Sequence, residues 1–195
     1  MKAGEEQQTI VALVLDRPGV LNRVVSMVRR RGFNITSLAV GHAEDPGMSR
    51  MTFVVEGDPP TIEQVTKQLR KLIDVVRVTD LSGENIITRE LALMRVRATP
   101  ATRSEIIQLV DIFRATIVDV AHDSLIIEVT GDQEKLDSLH YLLKPFGVRE
   151  VMRSGRLAMA RGDLGGGNGR VRRTARRLAE DEELEPQQPA IEPPS

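Results

Sequence analysis

The side chains that could carry out chemistry are few and scattered. Three histidines, His42, His122 and His140, stand at the end of a predicted strand, in a tight turn and on a predicted helix. None is spaced from a second ligand as in His-x-x-x-His, so a solvated surface histidine is the economical reading of each. There is no cysteine, which excludes a thiol nucleophile, a zinc-thiolate site, iron–sulfur ligation and a disulfide scaffold. Asp16, Asp58 and Asp132 fall in turns and at helix starts, where carboxylates cap main-chain donors. An acid–base or nucleophilic site needs a base held beside its partner. No such constellation emerges, and neither a catalytic nor a metal-binding residue is expected. The glycines from Gly165 to Gly169 lack the Gly-Lys-Ser/Thr ending of a phosphate loop and read as a spacer.

One stretch offers binding chemistry: Leu15-Asp16-Arg17-Pro18-Gly19-Val20-Leu21. A glycine between a strand and a helix lets the main chain approach a ligand. The first turn of the helix presents amides without intrahelical acceptors and the positive end of the helix dipole, which suits a carboxylate. Asp16 could accept hydrogen bonds from an ammonium group. Both ends of an α-amino acid would find a partner there. On spacing alone the same residues make an ordinary turn, with proline fixing φ, aspartate capping and glycine relieving strain.

The elements that must position this turn follow from periodicity. Thr9 to Leu15 reads as a strand, and Val20, Leu21, Val24, Val25 and Val28 mark one face of a helix that Gly32 ends. Ile35 to Gly41 and Arg50 to Glu56 read as two strands, Ile62, Val65, Leu69 and Leu72 as a second helix, and Val75 to Leu81 as a fourth strand. The order βαββαβ then recurs. Glu90 to Arg97 is a strand, Ile106, Ile107, Val110 and Phe113 mark a helix, and Thr116 to Ala121 and Leu125 to Thr130 form a hairpin. Gly131-Asp132 opens a helix carrying Leu136, Leu139, Leu142 and Leu143, and Val148 to Arg153 closes the unit. The expected class is α+β: two ferredoxin-like units, each an antiparallel sheet with both helices on one face. Both faces of the first strand are apolar, Ile10, Ala12 and Val14 on one and Val11, Leu13 and Leu15 on the other. Self-association of small units is one way to cover the second face.

Composition narrows the function classes. The 195 residues hold 27 basic and 28 acidic side chains, a balance that argues against a bulk nucleic-acid or membrane-surface binder. Aromatics are 3% with no tryptophan, so base-stacking surfaces have little to work with. No apolar run approaches the ~20 residues of a membrane span, and the polar N-terminus has no signal-peptide core. A cytoplasmic protein is expected. The organisation expected is a disordered 1–7, a first unit at 8–82, a linker at 83–88, a second unit at 89–162 and a disordered tail at 163–195. In the tail, arginines from Arg170 to Arg177 precede acids from Glu180 to Glu185 and a Pro/Gln-rich end.

Asp16-Arg17-Pro18-Gly19-Val20-Leu21 followed by Arg31-Gly32-Phe33-Asn34-Ile35 resembles an ACT domain, a ferredoxin-like module that binds amino acids and regulates metabolic enzymes. Gly32 to Val40, Ser49-Arg50-Met51-Thr52, Lys67-Gln68-Leu69-x-Lys71-Leu72-Ile73-Asp74-Val75, Arg89-Glu90-Leu91-x-Leu93, Asp111-Ile112-Phe113-Arg114-Ala115 and Arg153-Ser154-Gly155 resemble, in order, the regulatory small subunit of acetohydroxyacid (acetolactate) synthase. The resemblance covers roughly residues 8 to 162 and makes the second unit an ACT-like domain. It implies a non-catalytic subunit that partners a large catalytic subunit and forms a homodimer through its ACT domains. It also implies feedback by a branched-chain amino acid, typically valine. Thiamine diphosphate, magnesium and FAD would belong to the catalytic subunit, with no cofactor on this chain. Carried over by position, Gly19 and Val20 hold the effector carboxylate and Asp16 its ammonium, while Asn34 and Ile35 reach the pocket from the partner domain. In the second unit Pro100-Ala101 stands where Pro18-Gly19 stood and Thr116 replaces Asn34, so no equivalent site is expected there. An ACT-type sensor of another enzyme or of a transcription regulator is the alternative reading. An RNA-binding ferredoxin-like domain would need exposed aromatics where Ala12, Val14, Val54 and Val55 stand.

The tail is expected to be dispensable for folding. Truncation after Gly162 should leave the thermal transition in place, and its loss in scanning calorimetry would give the tail a structural role.

Overall fold

The computed structural model describes residues 7–162. The expected disordered segments 1–6 and 163–195 lie outside the described residues, whereas Gln7 is the first residue of a strand. The first unit runs β1 (Gln7–Leu15), α1 (Val20–Arg30), β2 (Asn34–His42), β3 (Met48–Glu56), α2 (Pro59–Leu69) and β4 (Val75–Asp80). The second runs β5 (Ile86–Arg97), α3 (Arg103–Ile112), β6 (Thr116–Val120), β7 (Ser124–Gly131), α4 (Gln133–Leu143) and β8 (Val148–Arg153), with a further strand β9 (Leu157–Ala160). Strand order is β2-β3-β1-β4 in one sheet and β6-β7-β5-β8 in the other. All pairings are antiparallel, so the two units are the repeated ferredoxin-like plait.

Each unit has its own core. In the first, Ile10, Ala12 and Val14 of β1 and Met51, Phe53 and Val55 of β3 pack under Val24 and Val28 of α1 and Val65 and Leu69 of α2. In the second, Ala92, Met94 and Val96 of β5 pack under Ile106 and Val110 of α3 and Leu136, Leu139 and Leu143 of α4. The core face of β5 is thus the alanine-and-methionine face, while Leu91 and Leu93 are only half-buried on the other. The second face of β1 is partly covered inside the chain: Leu13, Leu15 and Met48 form a small cluster with Ala43 and Val76. That face therefore does not by itself demand self-association.

The expected linker at 83–88 is corrected by β5, which begins at Ile86 rather than Glu90. Ile86 to Arg89 pair with β9, a strand the sequence reading missed. Four residues, Leu157-Ala158-Met159-Ala160, are too short for alternation to stand out from coil, and their partners lie far away in sequence.

Leu139 and Leu142 sit on the same helix, the first fully buried and the second 40% exposed. Leu139→Ala should cost about 2–5 kcal/mol, the range for emptying a packed site. Leu142→Ala should cost about 1 kcal/mol or less. Urea midpoints at constant slope measure both.

Candidate functional site

The turn between β1 and α1 has the geometry that a carboxylate site needs. Gly19 is the N-cap of α1 with φ of 85° and no side chain capping the helix, a left-handed conformation natural to glycine. No acidic residue occupies the first turn of α1, so the positive end of its dipole is not neutralised locally. The amide of Val20 donates to the Arg17 carbonyl at 3.3 Å, leaving Leu21 and Asn22 as first-turn amides without intrahelical acceptors. The Val20 side chain is in the core, so any ligand contact from it is main-chain.

Neighbouring segments brace the turn. The Asp16 amide donates to the Gly47 carbonyl at 2.8 Å and the Leu15 amide to the Asp74 carbonyl at 2.9 Å. Asp16 Oδ2 lies 3.2 Å from His42 Nδ1, at the far end of β2, with both side chains substantially exposed. Sequence reasoning missed two further groups here. Arg23 Nε lies 2.7 Å from Asp74 Oδ2, whose side chain is only 7% exposed. The contact is an ion pair rather than an aligned hydrogen bond, since Asp74 Oδ2 has no hydrogen-bond partner. The guanidinium also borders Gly19, whose added Cβ would stand 3.8 Å from Arg23 Nη1. The signal was present as a cation one helical turn after Gly19, but its acid lies in a distant segment.

Asn34 and Ile35 do not join this turn within one chain. Asn34 faces Glu56 across β2 and β3, and Glu56 faces Gln7 at the start of β1. His42 and Leu15 mark the opposite end. Eight residue steps separate Asn34 from His42, about 26 Å at strand rise. Asn34 is exposed and its Nδ2 donates to Glu56 Oε2 at 2.9 Å, while Ile35 packs half-buried on the first core. The structure therefore groups Asp16, Gly19 and Val20 at one end of the sheet and Asn34 and Ile35 at the other.

The corresponding turn of the second unit is built differently. Thr102 is the N-cap of α3, its hydroxyl accepts from the Thr99 amide at 3.1 Å, and Glu105 lies in the first turn. Arg103 donates to the carbonyls of Ala121 and His122 at 3.0 and 2.9 Å. An acid, a closed loop and a committed arginine leave little for an incoming carboxylate.

Fold and turn together define a protein built on an ACT domain. A model described as "AHAS small subunit-like ACT domain" matches residues 10–77, and one described as "Small subunit of acetolactate synthase" matches 89–162. The acetolactate synthase small subunit of Mycolicibacterium smegmatis is 50% identical over 165 residues, covering 85% of this chain and 97% of the relative. That of Bacillus subtilis is 48% identical over 158 residues, covering 80% and 91%. The crystal structure of the small subunit from Thermotoga maritima superposes with a TM-score of 0.77 at 43% identity, over 82% of this chain and 99% of that one. The chain belongs to the acetolactate synthase small-subunit family. Among the described residues no helix is long and apolar enough to cross a membrane.

Arg23→Ala would strand the Asp74 carboxylate without its cation. Stability should fall by about 1–3 kcal/mol, the cost of an unsatisfied buried polar group, and Arg23→Lys should fall between the two. Urea unfolding measures this, and an unchanged midpoint for Arg23→Ala would mean that water solvates Asp74.

Proposed function

We propose that this chain is a non-catalytic regulatory subunit that binds the large catalytic subunit of acetolactate synthase, raises its activity and makes it responsive to valine. The observation that carries the reading is the separation of an uncapped, acid-free helix start at Asp16–Val20 from Asn34 and Ile35, on a strand at the edge of its sheet. Among the described residues only β3 pairs with β2. A second copy adding its own β2 antiparallel, about a two-fold axis, would bring its Asn34 end to the His42 end of the first. Each half-site would then meet its complement, giving two pockets per dimer.

In such a pocket the effector carboxylate lies on the first-turn amides after Gly19. Asp16 takes the ammonium in place of His42. Asn34 of the partner subunit supplies a donor and an acceptor, and the aliphatic side chain rests near Ile35 of the partner subunit. Inhibition is then a coupling free energy: valine favours one arrangement of the regulatory dimer, and the catalytic partner follows the population. Thiamine diphosphate, magnesium and FAD stay with the catalytic subunit. The second unit, with its helix start closed, serves packing and partner contact.

The test is reconstitution with the catalytic subunit. The chain alone should not convert pyruvate to acetolactate, and its addition should raise the rate of the partner. Valine should inhibit, with leucine and isoleucine as comparison, and sedimentation should report a dimer. Gly19→Asp, which places a charged side chain at a positive φ, and Asn34→His should each lower valine affinity about ten- to a hundredfold. That is the equivalent of losing one charge-assisted hydrogen bond at ~1.5–3 kcal/mol. Ala101→Asp should leave it unaltered. Turnover by the chain alone would overturn the reading, and loss of inhibition in Ala101→Asp but not Gly19→Asp would move the site to the second unit.

A further inference from the structure

Among the described residues no apolar cluster spans the two units: each of the three draws its residues from one unit only. Polar contacts between them pass through Ser154-Gly155-Arg156, between β8 and β9. Ser154 is fixed to the second unit from both sides. Its amide donates to the Leu91 carbonyl at 3.0 Å, and its hydroxyl accepts from the Leu91 amide at 3.1 Å. Gly155 and Arg156 face the first unit. The Arg156 amide donates to Ser37 Oγ at 2.7 Å. A Cβ on Gly155 would stand 2.7 Å from the Leu38 carbonyl oxygen, and its φ of 82° is itself unfavourable to other residues. The Arg156 guanidinium donates to Gln7 at 3.1 Å and also to Gln133, at the start of α4.

These contacts fall where the Asn34–Ile35 half-site is shaped. The register of β2 against β3 shifts between Ile35 and Ser37, so Thr36 is a bulge. A bulge re-aims the residues beside it. The residue after this bulge is the one held by Arg156. Gln7, the other anchor, pairs with Glu56, which receives the Asn34 amide. A polar cleft of about 330 Å³ lies alongside, lined among others by Thr36, Ser37, Glu90 and Arg153. These contacts are made by main-chain and polar groups outside both apolar cores, so their loss would leave the cores closed.

We propose that the Ser154–Arg156 turn is the coupling element between the two units, carrying occupancy of the pocket at Asn34 and Ile35 to the second unit, with Ser37 and Gly155 as its positioning residues. The inference rests on the effector reading above. It separates two quantities that damage to the pocket would move together: how tightly valine binds, and how far bound valine inhibits. Ser37→Ala removes one acceptor from an otherwise intact strand, and Gly155→Ala drives a methyl group into the Leu38 carbonyl.

The experiment uses the full chain and the reconstituted enzyme. Calorimetry gives the valine Kd of the full chain, and inhibition at saturating valine is measured with activation at zero valine. For both variants the expected result is a Kd within about threefold of the parent, retained activation, and inhibition at saturating valine at least halved. Should Gly155→Ala fail to fold, Ser37→Ala decides. Full inhibition at saturating valine in Ser37→Ala, or a fall in affinity that accounts for the lost inhibition, overturns the coupling role. A parent protein that responds to none of valine, leucine and isoleucine overturns the effector reading and this inference with it.

Discussion

The antiparallel register of β1, β3 and β2 is the constraint on which the rest depends. Because β3 lies between the other two, the residue that ends β1 and the residue that begins β2 are held at opposite ends of one sheet. No rotamer change or loop motion can bridge a strand length of about 26 Å. A pocket that uses both the β1–α1 turn and the start of β2 is therefore intermolecular by construction. Its affinity would depend on assembly as well as on ligand contacts, as for any site whose halves belong to different copies.

The two units show how one topology can carry differently built helix starts. Their cores are interchangeable in kind, with branched and straight aliphatic residues at matching positions of matching helices. Their helix starts are not. Neither has a side chain capping the helix; the first has a left-handed glycine and no acid in its first turn, and the second has a threonine, a glutamate and an arginine tied to the neighbouring hairpin. Capping stabilises a helix by about 1 kcal/mol. Both starts forgo that stabilisation, and the one without an acid leaves the positive end of its dipole unopposed in the first turn.

Much of this could be read from sequence because it is local. The apolar stripe of α1, the Asp132 cap that accepts from the Lys135 amide and the glycine at the β1–α1 turn follow from periods and turn chemistry that span a few residues. What escaped was non-local. β9 takes its partner from the start of β5, Arg23 takes its acid from the segment before β4, and Gly155 is constrained by a carbonyl in another unit. Each is a single residue or a run of four, with nothing in its own neighbourhood to mark it. On β5, Ala92, Met94 and Val96 face the core, a choice of face that alternation with Leu91 and Leu93 leaves open.

The course of β5 bears on how the gene can be divided. Its first four residues pair with β9 and the rest with β7 and β8, so one continuous strand belongs to both the ribbon and the second sheet. A fragment cloned from residue 89 onward would deprive β9 of most of its partner and leave Leu157 and Met159, already more than half exposed, on an unpaired segment prone to aggregation. Cleavage points for separating the halves belong in the turn at Ser82 to Asn85, ahead of the strand, and a permuted or fused version would have to respect the same seam.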